Sequence, residues 1–219
     1  QGIRLEQVTF SYGEHDILKE AEVEIPAGQL TCLVGESGSG KTTITDLVMG
    51  LVRPTRGVVR IDGVDLAEID LAAWRHRIGY VPQENLLLHA SVRRNVTLGD
   101  EQVSAAEVER ALRAAGAWDF VSVLPEGVDT VVGERGTRIS GGQRQRIMIA
   151  MALVGAPRLL ILDEATSALD PESDRAIAGT LRALTGALTI LVVSHHSTLT
   201  SLADRVYRIE RGRVGLDSA

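Results

Sequence analysis

An apolar run leads directly into a glycine-rich loop near the start of the chain. The run is Gln29–Val34, and the loop reads Gly35-Glu-Ser-Gly-Ser-Gly-Lys-Thr42, which fits the pattern G-x-x-x-x-G-K-[ST]. Its glycines let successive backbone N–H groups turn inward around phosphate oxygens, and the helix that follows adds the positive end of its dipole. Lys41 is expected to reach the β- and γ-phosphates and the Thr42 hydroxyl to bind Mg²⁺. The predicted nucleotide-binding residues here are Gly35, Glu36, Ser37, Gly38, Ser39, Gly40, Lys41, Thr42 and Thr43.

Two acidic residues follow a second apolar run, Leu159–Leu162. Four consecutive apolar residues are typical of a parallel strand that is covered on both faces. Ligands of α/β proteins bind beyond the carboxyl ends of such strands, so Asp163 and Glu164 are expected beside the phosphate loop. In that position Asp163 would hold the water shell of Mg²⁺, and Glu164 would polarise the attacking water.

The segment Ser140-Gly-Gly-Gln143 predicts the first turn of a helix. Ser140 and Gln143 have the spacing of a capping box, and Gly141 and Gly142 leave the amides of that turn uncovered. Such a helix N-terminus can bind an anion. A plain helix cap accounts equally well for the same four residues.

Strand-like and helix-like segments alternate along the chain, which favours an α/β fold. The pattern from about Glu84 to Pro157 is mainly helical, so a P-loop α/β core with an inserted α subdomain is predicted. Helices are expected after the phosphate loop, with Ile44, Leu47, Val48 and Leu51 on one face, and after the caps Ser104, Ser140 and Asp170. Further strands are expected at Ile3–Phe10, Ala21–Ile25, Gly57–Ile61, Arg77–Pro82, Leu188–Val193 and Arg205–Glu210.

Charge and composition argue against a nucleic-acid partner, an intrachain disulfide and a membrane-spanning segment. The net charge of −6 disfavours a nucleic acid as the main partner. The single cysteine, Cys32, cannot form an intrachain disulfide and is expected in a buried strand, which suits a reducing cytoplasm. The longest uncharged stretch, Ala183–Ala203, is too polar to span a membrane. Because the chain opens on Gln1 and enters a strand-like run almost at once, we expect a domain excised from a longer protein.

Taken together, the motifs resemble those of one protein family. Ile139-Ser-Gly-Gly-Gln-Arg-Gln145 lies between the phosphate loop and Leu162-Asp-Glu-Ala-Thr-Ser-Ala-Leu-Asp170, as in the nucleotide-binding domain of ATP-binding cassette (ABC) transporters. The resemblance extends over essentially the whole chain. It implies a RecA-like P-loop core with an N-terminal antiparallel β subdomain, residues 1–83 and 158–219, and an inserted α-helical signature subdomain, residues 84–157. It also implies ATP and Mg²⁺ as cofactors.

The resemblance assigns roles to residues that their spacing alone does not explain. Tyr12, in Phe10-Ser-Tyr-Gly, resembles the aromatic residue that stacks on adenine, and Gln83 resembles the Q-loop glutamine that touches Mg²⁺. Residues 167–170 resemble the D-loop, and His195 resembles the switch histidine that contacts the γ-phosphate. Because the run after His195 is about one residue shorter than usual, His196 stays open as the alternative. The implied metal-binding residues are Thr42, Gln83 and Asp163, and the implied catalytic residues are Glu164, His195, Lys41 and Gln83.

Two segments resemble those of exporters. Residues 130–136, with Glu134-Arg-Gly136, resemble the X-loop that touches the intracellular loops of the transmembrane domains. Leu86–Gly99 resembles the segment that receives the coupling helices. Position 139 is Ile where the family usually has Leu, and this volume-conserving change is expected to be harmless.

The resemblance implies an ATPase on the cytoplasmic face of the cell membrane. Two such domains would pair head to tail, as a homodimer or a heterodimer, with Ser140–Gln143 of one chain completing the ATP site of the other. Gln83 and the segments 84–99 and 130–136 would contact the transmembrane domains, which select the transported substrate. Three alternatives remain: an importer ATPase subunit, a soluble ABC-type ATPase acting on DNA or ribosomes, and a regulatory dimerisation module that does not hydrolyse ATP.

Overall fold

The computed structural model describes residues 2–13, 15–84, 87–133, 139–164, 169–194 and 197–217. The strands in this part of the chain are β1 (Gly2–Tyr12), β2 (His15–Pro26), β3 (Leu30–Gly35), β4 (Arg56–Ile61), β5 (Val64–Asp65), β6 (Ile78–Val81), β7 (Leu159–Asp163), β8 (Thr189–Val193), β9 (Arg205–Glu210) and β10 (Arg213–Leu216). The α-helices are α1 (Lys41–Val48), α2 (Leu71–Arg75), α3 (Val92–Thr97), α4 (Ala105–Ala114), α5 (Trp118–Val121), α6 (Gly141–Leu153), α7 (Pro171–Leu184) and α8 (Ser197–Leu202). Short 3-10 helices lie at Leu66–Glu68 and Gly127–Asp129.

The strands form two sheets. The first is antiparallel, with strand order β2-β1-β4-β5. The second has the order β10-β9-β3-β8-β7-β6, and all its neighbouring pairs are parallel except β10 with β9. This arrangement confirms the predicted α/β fold with a P-loop strand in a largely parallel sheet. Because β8 lies between β3 and β7, the loops that follow these three strands share one sheet edge.

The second sheet separates two hydrophobic cores. Leu160 and Leu162 of β7 face a core made with α4, α6 and α7. Leu159 and Ile161 of the same strand face the other core, which contains α1 and the first sheet. Every residue of β7 is buried, which confirms the prediction of a strand covered on both faces.

The first helix ends earlier than its apolar spacing predicts. Leu51, expected on the buried face, is 56% exposed and lies beyond the helix. Gly50 takes a positive φ of 66°, and its N–H donates to Leu47 O while the Leu51 N–H donates to Asp46 O. These two bonds form a glycine C-cap of the Schellman type, which stops the helix before Leu51.

Several short elements had no sequence prediction. Helix α2 begins at the N-cap Asp70, and α3 begins at the N-cap Ser91. Each buries only one to three side chains, too few to give a helical period. Within the described residues, no helix has both the length and the apolar content to cross a bilayer.

Candidate functional site

The phosphate loop runs from the end of β3 into the first turn of α1, as predicted. Gly35 and Gly40 have φ values of 154° and 112°, and both lie against neighbouring chain segments. A Cβ on Gly35 would come 2.4 Å from Ile209 O, and one on Gly40 would come 2.9 Å from Leu18 Cδ2. A side chain at Gly35 would have to displace the backbone of β9, and the positive φ favours glycine at both positions.

Lys41 is almost completely buried under this loop, with 4% of its surface exposed. Its Nζ donates hydrogen bonds of 2.8 Å to Gly35 O and to Glu36 O. The same Nζ lies 3.8 Å from Glu164 Oε1. Neutral carbonyls accept its hydrogen bonds, so this buried ammonium can offer its positive charge to a bound anion.

Glu164 occupies a strained position at the end of β7. Its φ is 47°, and its N–H donates to Val193 O at 2.9 Å. Gln83 Nε2 donates to Glu164 Oε2 at 3.0 Å, so Gln83 and Lys41 contact different oxygens of one carboxylate. A non-glycine residue in this region of φ costs free energy and often marks a functional site. The hydrogen bond of Gln83 and the ion pair of Lys41 thus bring these two predicted site residues to Glu164.

Asp163 lies one residue earlier and is 7% exposed. Burial raises the pKa of its carboxyl above the ordinary value, and the nearby charge of Glu164 raises it further. The hydrogen bond from the Tyr80 hydroxyl and the charge of Lys41 lower that pKa, and so partly offset the increase. A divalent cation would stabilise the charged form of a buried carboxylate that has other carboxylates close by.

The residues predicted to bind Mg²⁺ line one cleft. Its volume is about 790 Å³, and Thr42, Gln83 and Asp163 contribute to its wall. These side chains offer hydroxyl, amide and carboxylate oxygens, which suit Mg²⁺. Among the described residues, no group of three or more His, Cys, Asp or Glu side chains converges on a metal position. When nucleotide phosphates also bind Mg²⁺, the protein usually supplies only one or two carboxylates, and Asp163 can supply one here.

Helix α6 begins as its sequence predicts. Ser140 Oγ accepts a hydrogen bond from the Gln143 N–H at 3.2 Å, and Gln143 Oε1 accepts one from the Ser140 N–H at 3.0 Å. The predicted capping box is thus confirmed. The hydrogen bonds described for these residues do not reach the phosphate loop of the same chain. Gly142 instead packs on α7, where a Cβ would lie 2.4 Å from Ser173 Oγ.

Tyr12 lies at the end of β1, in the hairpin where it pairs with His15. It is 56% exposed and is supported by an edge contact with Phe10, with ring centroids 4.8 Å apart and planes at 87°. The same hairpin contacts the start of α1, because Ile17 O lies 3.3 Å from the position of a Gly40 Cβ. An exposed aromatic ring on a hairpin that contacts the start of α1 can stack on a nucleotide base.

Residues 18–167 match the ABC transporter family. The chain belongs to this family. Membership agrees with the phosphate loop, the acidic residues after β7 and the capped helix α6, and it makes the chain an ATP-binding ATPase domain of the ABC type.

The relatives of this ABC domain include a protein named for secretion and one named for lipid flipping. The domain is 44% identical over 214 residues to the cyclolysin secretion/processing ATP-binding protein CyaB of Bordetella pertussis, covering 97% of this chain and 30% of that protein. It is also 44% identical over 215 residues to the ATP-dependent lipid A-core flippase of Alkalilimnicola ehrlichii, covering 97% and 36%. A solved bacterial Atm1-family ABC exporter with ATP bound matches with a TM-score of 0.87 and 36% identity, covering 98% of this chain and 38% of that one. The chain thus spans about a third of the length of these relatives.

Some predicted ABC residues lie outside the described residues. These are His195 and its alternative His196, residues 134–136 of the X-loop segment, residues 167 and 168 of the D-loop, and Leu86. Two further residues had no sequence prediction: Tyr80, whose hydroxyl contacts Asp163, and Asn95, a buried side chain that bonds to both backbone groups of Leu88. Neither follows from a motif spacing, because both contacts depend on how the chain folds back.

Proposed function

We propose that this domain hydrolyses Mg-ATP in the cleft between the phosphate loop and the end of β7, and thereby powers an exporter. The observation that carries the proposal is the position of Glu164, whose carboxylate oxygens face the amide of Gln83 and the buried ammonium of Lys41. A carboxylate held next to the cation that binds the terminal phosphates can polarise a water for in-line attack.

Each side chain has a distinct task in this proposal. Lys41 would exchange its carbonyl partners for β- and γ-phosphate oxygens, and Tyr12 would stack on the adenine. Glu164 would accept the proton of the attacking water, with Gln83 keeping its carboxylate in place. Thr42, Gln83 and Asp163 would hold Mg²⁺, which when bound neutralises charge that develops on the phosphates. His195 would contact the γ-phosphate.

The second half of the site would come from another chain. The described hydrogen bonds of Ser140 and Gln143 form the helix cap and do not reach the phosphate loop of the same chain, and those of the described residues leave the N–H groups of Gly141 and Gly142 for another partner. We propose that the first turn of α6 closes on the γ-phosphate bound by a partner ABC domain, in a head-to-tail dimer. ATP would then bridge the two chains, and its hydrolysis would let them separate.

We further propose contacts with transmembrane domains through Gln83 and the segments 84–99 and 130–136. The chain would then work at the cytoplasmic face of a membrane, with residues 84–157 as the helical signature subdomain and residues 1–83 and 158–219 as the ATP-binding core. The exporter relatives support this role, since one is a secretion ATP-binding protein and another a lipid A-core flippase.

Replacing Glu164 with Gln tests the catalytic assignment. Because the amide cannot accept the proton, phosphate release should fall by about 100-fold or more, while ATP binding is retained. Release of inorganic phosphate and binding of fluorescent ATP would be measured on the same samples. Glu68→Gln changes an exposed glutamate that does not line the cleft, so it is the matched control and should leave both unchanged. Unaltered turnover in Glu164→Gln would exclude Glu164 as the base.

A further inference from the structure

Tyr80 lies at the edge of the second sheet, beside the strand that ends at Asp163. In the parallel register of β6 and β7, Tyr80 is opposite Ile161, two residues before Asp163. Residues two apart on a strand face the same side, so the long Tyr80 side chain can extend along β7 toward the carboxylate. Its hydroxyl donates to Asp163 Oδ2 at 3.4 Å.

We propose that Tyr80 is a positioning residue for the Mg²⁺ carboxylate: it fixes Asp163 before the cation binds and so strengthens the binding of divalent metal with ATP. This inference rests on the proposed Mg-ATP site. The phenol contacts one carboxylate oxygen, and the other stays available to the water shell of the cation. Side chains that orient metal-binding groups in this way commonly determine metal affinity.

The surroundings of Asp163 explain why a neutral donor is useful there. Burial and the neighbouring Glu164 and Asp46 all oppose its negative charge. A hydrogen-bond donor stabilises the charged carboxylate without competing with the cation for charge. A tyrosine hydroxyl is protonated near neutral pH and can therefore donate to this carboxylate.

The geometry also fits a bond that strengthens on ligand binding. At 3.4 Å the contact is longer than the usual O–H···O bond of about 2.7–2.8 Å. Catalytic hydrogen bonds are often long in nucleotide-free sites and shorten in the complex. Tyr80 lines the same cleft as Thr42 and Gln83 and is 40% exposed, so its ring can follow Asp163 without disturbing a core.

The test separates metal binding from nucleotide binding. Mn²⁺ is added to the chain with a non-hydrolysable ATP analogue, and free Mn²⁺ is followed by electron paramagnetic resonance. Affinity for a fluorescent ATP analogue is measured separately in EDTA. Tyr80→Phe keeps the ring and removes only the hydroxyl. Tyr207→Phe is the matched control, because Tyr207 lies on β9 and its hydroxyl accepts from the Glu24 N–H at 3.0 Å.

We expect Tyr80→Phe to weaken Mn²⁺ binding by about tenfold, at the lower end of the range for such residues. Affinity in EDTA should be unchanged in both variants, and Mn²⁺ affinity unchanged in Tyr207→Phe. Unaltered Mn²⁺ affinity in Tyr80→Phe, or an equal loss in EDTA, would overturn the inference and leave the proposed function intact. If the unmodified chain binds neither analogue, the proposed nucleotide site is wrong and the inference fails with it.

Discussion

Burial determines the reactivity of the single cysteine. Cys32 is fully buried in β3, and desolvation raises the pKa of its thiol from 9.0 to about 11. At pH 8 only about one thiol in a thousand is then ionised in the folded chain. We expect iodoacetamide to label the native protein very slowly and the urea-unfolded protein quickly, as measured by mass spectrometry. Equal labelling rates would show that β3 opens without global unfolding.

The same shift makes stability depend on pH. Because the thiol pKa is higher in the folded state, the folded chain retains the proton between pH 9 and 11 while the unfolded chain loses it. The contribution of Cys32 to stability is therefore complete below pH 9 and is lost as pH rises toward 11.

Among individual residues, motif residues were predictable and their partners were not. The spacing of the phosphate loop fixes Lys41 and Thr42 relative to a helix start, and an apolar run fixes Asp163 at a strand end. The contact of Tyr80 with Asp163 depends on strand order instead. Strand order is set by long-range packing, which the local pattern does not encode.

Two glycines on adjacent helices should respond in opposite directions to the same change. A Cβ at Gly142 of α6 would lie 2.8 Å from Ser173 Cβ on α7, and this atom cannot rotate away. We expect Gly142→Ala to lower the free energy of unfolding by about 1–3 kcal/mol through overpacking. Gly179, inside α7, has open space around its Cβ position. Gly179→Ala should raise that free energy by about 1 kcal/mol through helix propensity.

Urea unfolding monitored by circular dichroism would measure both variants. A Gly142→Ala variant as stable as the unmodified chain would show that α6 and α7 can separate without cost at their N-termini. A destabilised Gly179→Ala variant would contradict the open space at that position.

Elements marked by several residues of the sequence were predicted better than elements that depend on one or two. Apolar runs predicted the strands β3, β7 and β8, and capping boxes predicted the starts of α4 and α6. Each of these signals involves several residues. Helix α2 depends on the Asp70 cap and on buried Trp74, whose Nε1 donates to Val48 O at 2.8 Å. A single tertiary hydrogen bond of this kind leaves no periodic trace in the sequence.

At the scale of the molecule, the alternation of strands and helices predicted the fold class. The two hydrophobic cores explain why the central strands are continuous apolar runs. Consecutive residues of β7 and β8 supply opposite faces of the sheet, which requires continuous apolar runs rather than an alternating pattern. The separate antiparallel sheet was implied only by family resemblance. Its pairing of β1 with β4 joins segments about 50 residues apart, and no local signal connects them.

The proposed head-to-tail dimer gives the last prediction. In Glu164→Gln, ATP should accumulate unhydrolysed, and light scattering at high protein concentration should report a shift from monomer to dimer on adding Mg-ATP. Ser140→Glu in the same background is the control. Its carboxylate would face the γ-phosphate bound by the partner and repel it, while binding of ATP to its own phosphate loop should be retained.

The two variants together locate the interface. If both dimerise with ATP, the first turn of α6 does not contact the partner's nucleotide and the composite site is wrong. If Glu164→Gln binds ATP but stays monomeric, the domains need transmembrane partners or a different ABC domain to bring them together. Dimerisation of Glu164→Gln alone would mean that the bound nucleotide joins two copies of this chain through the first turn of α6.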